Sequence, residues 1–217
     1  GFLEHIRKVT KEKNIVLIFD EISAGFRLCL GGSHLKLNVN PDIALFGKAL
    51  SNGYPMAAII GTREIMEAAQ DSFISSTFWS ERVGLVASLK TIEKYKALEL
   101  EKILAVNGAM VQDGWRDLAF KHGLDITIMG IKPLSYFSFN YAKEKEIKTL
   151  FIQEMLEFGF LSTTGYYASY AHKESDIDEY LRAIDEVFFL IKNILKGGDI
   201  EKHLNSEVCH SGFTRLT

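Results

Sequence analysis

Two short apolar runs, each leading to a chemically useful side chain, constrain the fold of this chain more than any other feature. Residues 15–19 read IVLIF and end at Asp20, and residues 43–46 read IALF and lead through Gly47 to Lys48. Short apolar runs bounded by turn residues indicate buried strands. Continuously apolar strands are typical of sheets covered on both faces. The sequence therefore predicts an α/β domain in which both strands are buried.

The acid and the amine at the two strand ends indicate a kind of chemistry. Ligands of parallel α/β sheets bind outside the carboxyl ends of the strands. Asp20 and Lys48 both follow such ends and lie 48 − 20 = 28 positions apart. This pair suits pyridoxal phosphate, because a lysine forms a Schiff base with the aldehyde and an acid pairs with the ring nitrogen.

The same residues carry a family resemblance. Residues 20–27 (DEISAGFR), 41–43 (PDI) and 47–58 (GKALSNGYPMAA) resemble the signature of the class III aminotransferases. The GFR ending and residues 76–81 (STFWSE) are most similar to the glutamate-1-semialdehyde aminomutase-like branch, as are residues 169–172 (SYAH) near the carboxyl end. The matching motifs are ordered along nearly the whole chain, which makes the resemblance specific.

The resemblance implies a fold type I pyridoxal-phosphate-dependent transferase, with a large, mostly parallel sheet domain and a smaller α/β C-terminal domain. Residues 1–100 would complete the large domain, residues 101–200 would form the small domain, and residues 201–217 would be a tail. Family members carry roughly half of their length before this point, so we expect a fragment. A sheet that lacks strands would expose edges and apolar surface.

Periodicity along the rest of the chain predicts further elements. Strands are expected at residues 56–61, 124–129, 134–140 and 159–161, and helices at residues 80–95, 99–122, 143–158 and 176–195. The helix at 80–95 has a long apolar face. Gly123 is expected to cap one helix and Asp176 to begin another.

The resemblance assigns roles to individual side chains. Lys48 is the expected catalytic residue and holds the cofactor together with Asp20. Thr77 would bind the phosphate of the cofactor held by the other subunit of a homodimer, and Ser76 is a further candidate. The polar loop before a long helix also suits an anion at Thr77. The alternatives are that Lys48 is an ordinary surface lysine, that Asp20 caps the next loop, and that Thr77 is an ordinary residue at a helix entry.

Other polar residues have weaker or structural interpretations. The fork of Arg27 suits a substrate carboxylate, with a loop ion pair as the alternative. Glu21 is expected to be structural, or an acceptor of loop hydrogen bonds. Cys209 and His210 have no second ligand pair nearby, so no metal site is predicted.

Composition excludes several classes of function. The net charge is 25 − 28 = −3 without a basic stripe, so a nucleic-acid partner is not expected. The apolar runs are too short to span a bilayer. Two cysteines, Cys29 and Cys209, make no disulfide framework, which favours a reducing cytoplasmic setting.

These observations predict an aminotransferase that moves an amino group from an amine or amino acid donor to a carbonyl acceptor through a Schiff base on Lys48. One alternative is a glutamate-1-semialdehyde 2,1-aminomutase-type isomerase that uses the same residues. The other is a truncated, non-catalytic chain that only pairs with a partner.

Overall fold

A computed structural model describes residues 1–75, 77 and 80–210 of the chain. The chain divides into two compact units, the first formed by Gly1–Ile103 and the second beginning at Leu104. Each unit has its own sheet and its own apolar core.

The first unit is built on a three-stranded sheet. Its elements in chain order are α1 (Phe2–Glu12), β1 (Ile18–Asp20), α2 (His34–Leu37), β2 (Ile43–Phe46), β3 (Ala58–Gly61), α3 (Arg63–Glu67) and α4 (Val83–Leu98). Strand β1 runs parallel to β2, with Ile18 opposite Ile43 and Asp20 opposite Leu45. Strand β3 is antiparallel to β2. The register of the parallel pair places the carboxyl ends of β1 and β2 at one edge of the sheet.

The prediction that the first strand is buried on both faces is wrong. Strand β1 begins only at Ile18, which is 52% exposed, and among the described residues it pairs with β2 alone. Ile59 and Ile60 of β3 are consecutive and point to opposite faces, yet both are more than half exposed. In the described part of the chain, the sheet therefore has an exposed edge and exposed apolar surface.

Most of the apolar face of α4 is exposed. The positions of α4 that are buried are Gly84, Ser88 and Tyr95, whereas Val86 and Leu89 are more than half exposed. At Gly84 the helix comes close to the backbone of a preceding loop. A Cβ atom on Gly84 would lie 2.7 Å from the carbonyl oxygen of Pro55, in the loop that follows Lys48.

An antiparallel sheet and long helices form the second unit. Its elements are α5 (Leu100–His122), which begins in the first unit, β4 (Ile126–Ile131), β5 (Leu134–Phe139), α6 (Glu144–Glu157), β6 (Gly165–Tyr167) and α7 (Glu174–Gly197). The strand order is β4-β5-β6. Fully buried aromatic rings of β5, α6 and α7 form the centre of the core, with the Phe137 ring 5.4 Å from Phe151 and 5.9 Å from Phe188.

Two predicted boundaries in this unit need correction. No strand forms at 159–161, because Gly159 turns the chain at φ +84° after α6 and the strand comes later, as β6. Asp176 does not precede α7 but lies inside its first turn, where its carboxylate accepts a hydrogen bond from the Lys173 backbone N–H at 2.9 Å. Gly123, at φ +64°, follows α5 as predicted.

Candidate active site

Lys48 lies directly beyond the carboxyl end of β2. Gly47 separates it from the strand, and Lys48 opens a short 3-10 helix that ends at Leu50. Its backbone has φ +43°, in the left-handed region that costs a side-chain-bearing residue about 1–3 kcal/mol when the surroundings hold it there. Hydrogen bonds on both sides fix this turn, from Leu50 N to Gly47 O at 2.9 Å and from Asn52 N to Lys48 O at 3.1 Å.

The amine of Lys48 reaches the loop that follows β1. The side chain is exposed, and Nζ donates a hydrogen bond to Ser23 Oγ at 2.5 Å. Ser23 precedes Lys48 by 25 positions, so this bond joins the two strand-end loops.

Asp20 is the last residue of β1 and is exposed. Its Oδ1 atom accepts a hydrogen bond from the Ile22 backbone N–H at 3.0 Å. The ladder continues one residue further, since Glu21 N donates to Leu45 O at 2.9 Å. Asp20 and Lys48 therefore follow the carboxyl ends of two adjacent parallel strands. The contact with Ile22 is the loop cap that the sequence analysis gives as the alternative role of Asp20.

Glu21 is an acceptor of loop hydrogen bonds, as expected. It is only 2% exposed, and Ser33 Oγ donates to its two carboxylate oxygens at 2.7 and 2.9 Å. The backbone N–H of His34 donates at 3.1 Å, and the Nδ1 atom of the same histidine lies at 3.2 Å. Burial raises the pKa of Glu21, but the hydrogen bonds from Ser33 and His34 outweigh it and bring the pKa below its ordinary value. These hydrogen bonds from Ser33 and His34 to Glu21, called here the Glu21 clasp, close the loop between β1 and α2.

The positions of Arg27 and Thr77 do not test the roles predicted for these residues. The Nε atom of Arg27 donates to the carbonyl oxygen of Ser23 at 3.4 Å, so part of its guanidinium contacts its own loop. Thr77 lies in a turn and is exposed. Ser76 lies outside the described residues. The roles of Thr77, Ser76 and Arg27 remain predictions.

Sequence reasoning missed Ser23 as a member of the site. The presence of a hydroxyl three positions after Asp20 could have indicated Ser23. Its contact with Lys48, however, depends on the path of the loop. The described part of the chain contains no group of three metal-ligating side chains close enough to hold an ion. No helix within it is long and apolar enough to cross a membrane.

The geometry and the sequence define a class of protein. The sheets and helices of the chain align with those of solved transaminases, which have the type I fold of pyridoxal-phosphate-dependent transferases. The sequence profile of the family described as "Aminotransferase class-III" matches residues 1–187, and the chain belongs to this family.

Individual relatives give the extent of the similarity. The 3-aminobutyryl-CoA aminotransferase of Cloacimonas acidaminovorans is 30% identical over 90% of this chain and 49% of its own length. A glutamate-1-semialdehyde 2,1-aminomutase of Methanothermobacter thermautotrophicus is 32% identical over 89% of this chain and 50% of its own length. The chain thus spans about half the length of the curated relatives that it matches.

Solved structures agree on the fold. The FumI protein of Sphingopyxis sp. MTA144, in its pyridoxal-phosphate internal aldimine form, superimposes with a TM-score of 0.85 and 26% identity, over 93% of this chain and 49% of that chain. An omega-transaminase of Sphaerobacter thermophilus superimposes with a TM-score of 0.80 at 22% identity, over 88% of this chain and 48% of its own. The second likeness concerns the fold alone.

Proposed function

We propose that this chain contributes the lysine-bearing half of the active site of a pyridoxal-phosphate-dependent aminotransferase. The observation that carries the proposal is the pairing of β1 with β2, which puts the Asp20 carboxylate and the Lys48 amine at one edge of the sheet. Membership of the class III aminotransferase family supports it. The substrates would be an amine or amino acid donor and a carbonyl acceptor.

The residues present fit the cofactor. A primary amine and a carboxylate, both exposed at the carboxyl edge of a parallel strand pair, are the donor set that its aldehyde and its ring nitrogen require. When bound, pyridoxal phosphate supplies an aldehyde and an electron-withdrawing ring. Lys48 would hold it through Nζ, and Asp20 would hold a proton on the ring nitrogen.

Lys48 would have a second task once a substrate amine has displaced it. A free amine at the strand end can remove a proton from the substrate carbon and return it to another carbon, which is general base and then general acid catalysis. The backbone turn at Lys48 would fix the base of the side chain during both steps. Asp20 would pair with the protonated ring nitrogen of the cofactor.

An isomerase of the glutamate-1-semialdehyde 2,1-aminomutase type is the second candidate. Curated relatives of that name, 32% identical in the Methanothermobacter protein, favour it. The same Asp20 and Lys48 would serve, since the two reactions share proton transfers and differ in whether the intermediate carbonyl compound leaves. Incubation with a single semialdehyde substrate and no second amine donor separates the two functions.

We also propose that the working protein is a cytoplasmic homodimer. Thr77 of one subunit would contribute to the phosphate site of the cofactor held by Lys48 of the other. Its exposed position in a turn ahead of α4 is compatible with contact to a second chain. Two cysteines that form no disulfide agree with a reducing compartment.

Borohydride trapping tests the assignment of Lys48. The purified protein is incubated with pyridoxal phosphate, reduced, digested and mapped by mass spectrometry. We expect the label on Lys48 at a rate well above that of the exposed Lys36. Lys48→Ala should abolish the fast label, whereas the matched variant Lys36→Ala should retain it. A fast label on any other lysine, or equal rates at Lys48 and Lys36, contradicts the proposal.

A further inference from the structure

We propose that Ser23 is a positioning residue for Lys48. Its hydroxyl accepts a hydrogen bond from the Lys48 amine and holds Nζ at the sheet edge before a ligand engages it. The inference deepens the proposed function and rests on it, in that Lys48 is taken as the reacting amine. No spacing rule in the sequence predicts this contact.

Lys48 needs such a partner because its side chain is exposed. A solvated lysine samples many rotamers, and ordering it has an entropic cost. Among the described residues, the Nζ atom donates to Ser23 Oγ, a charge-assisted hydrogen bond. The backbone turn fixes the base of the side chain, and the Ser23 hydroxyl fixes its tip.

Ser23 is itself on a fixed support. The Gly25 backbone N–H donates to Glu21 O at 2.7 Å, and a Cβ on Gly25 would lie 2.6 Å from that oxygen, so the turn around Ser23 is tight. The carbonyl oxygen of Ser23 accepts the Nε hydrogen bond of Arg27. Further along, Ser33 and His34 clasp the buried Glu21 carboxylate and close the loop. The hydroxyl is therefore presented from a constrained turn.

Two opposite kinetic effects follow from this arrangement. A lysine amine that donates to a hydroxyl must give up that bond before it attacks a small reagent from solution, so Ser23 slows such attack. The same bond holds Nζ where the cofactor aldehyde would be presented, so Ser23 speeds the reaction with pyridoxal phosphate. A general loosening of the loop would change both rates in the same direction.

The test uses the purified protein without cofactor and an N-hydroxysuccinimide acetate ester at fixed pH, with Lys36 as internal reference. Ser23→Ala should raise the acylation rate of Lys48 roughly fivefold relative to Lys36, the effect of one net hydrogen bond. Ser23→Thr keeps the hydroxyl and should restore the original rate. Ser72→Ala is the matched control, because Ser72 is an exposed serine whose hydroxyl bonds a local carbonyl at 2.8 Å.

A second arm measures borohydride-trapped pyridoxal phosphate on Lys48, where Ser23→Ala should be slower and Ser23→Thr unchanged. An acylation rate within twofold of the original in Ser23→Ala, or Ser23→Thr behaving like Ser23→Ala, overturns the role of Ser23. Failure of pyridoxal phosphate to label Lys48 in the original protein overturns the proposed function instead. In that case the acylation arm still decides whether Ser23 holds the amine.

Discussion

Replacing Glu21 with glutamine should loosen the loop between β1 and α2 by about 2 kcal/mol. The carboxylate is 2% exposed and takes hydrogen bonds from the Ser33 hydroxyl and the His34 backbone N–H at 2.7–3.1 Å. Hydrogen bonds to a charged group contribute about 1.5–3 kcal/mol each, and they do not add fully. Glutamine keeps the shape and one acceptor oxygen for the His34 backbone N–H, but it carries no charge, so the remaining hydrogen bonds are neutral. The expected loss is therefore close to that of one charged bond.

The size of the effect depends on pH, with a definite sign. Hydrogen bonds from Ser33 and His34, working against burial, bring the pKa of Glu21 below its ordinary value of 4.5. A carboxyl whose pKa is lower in the folded state contributes stability that is complete above its unfolded pKa and is lost as the pH falls through the folded pKa. The difference between the original chain and Glu21→Gln should be full at pH 7 and should shrink below about pH 4.5.

Hydrogen exchange followed by mass spectrometry measures this local change. Amides within residues 21–34 should exchange roughly thirtyfold faster at pH 7, which corresponds to about 2 kcal/mol. Peptides from α7 should not change. Glu12→Gln is the matched control, since Glu12 is an exposed glutamate 3.9 Å from Lys8. Unchanged exchange of the loop in Glu21→Gln, or an equal effect in Glu12→Gln, would refute the assignment of the clasp.

Two further predictions concern the proposed function. Asp20→Asn should leave borohydride trapping at Lys48 in place but lower turnover by roughly a hundredfold, because the charge that keeps the ring nitrogen protonated is lost; near-normal turnover would assign Asp20 another role. Thr77→Ala should weaken the affinity for pyridoxal phosphate. Mixing this variant with Lys48→Ala should rebuild at most one good site per dimer. That site would combine the intact Lys48 of one chain with the intact Thr77 of the other. Absence of recovery, with subunit exchange confirmed by mass spectrometry, would remove Thr77 from the partner's site.

The position of Lys48 could be predicted because its signals are local. A four-residue apolar run, a glycine and a polar turn are read within one short window, and the structure places β2 at Ile43–Phe46 as expected. The extent of β1 could not be predicted in the same way. An apolar run shows that residues 15–19 can be buried, but which of them pair depends on neighbours distant in the sequence.

Helix α4 illustrates the same limit. Its periodicity predicts a helix with one long apolar face. The structure buries Gly84, Ser88 and Tyr95 instead, and a Cβ atom on Gly84 would lie 2.7 Å from the carbonyl oxygen of Pro55. Periodicity alone does not reveal which face meets a close neighbour.

The contacts that organise the candidate site join residues that are far apart in the sequence. Ser23 meets Lys48 across 25 positions, and Glu21 meets Ser33 across 12. Neither pair has a characteristic spacing, because both depend on how the loop after β1 returns to the sheet. Motif reasoning therefore finds the candidate groups Asp20 and Lys48 and misses the long-range contacts of the loop between them.

Lys48 lies in a strained backbone turn. A residue with a side chain at φ +43° costs free energy that a glycine at the same position would not. Asn52, at φ +49°, is a second left-handed residue in the same turn, and the buried Leu50 anchors the turn to the core of the first unit. Strained backbone persists where surrounding contacts determine it, and such positions concentrate at functional sites. The turn sets the direction in which the Lys48 side chain leaves the backbone, and the Nζ atom at its end donates to Ser23 Oγ.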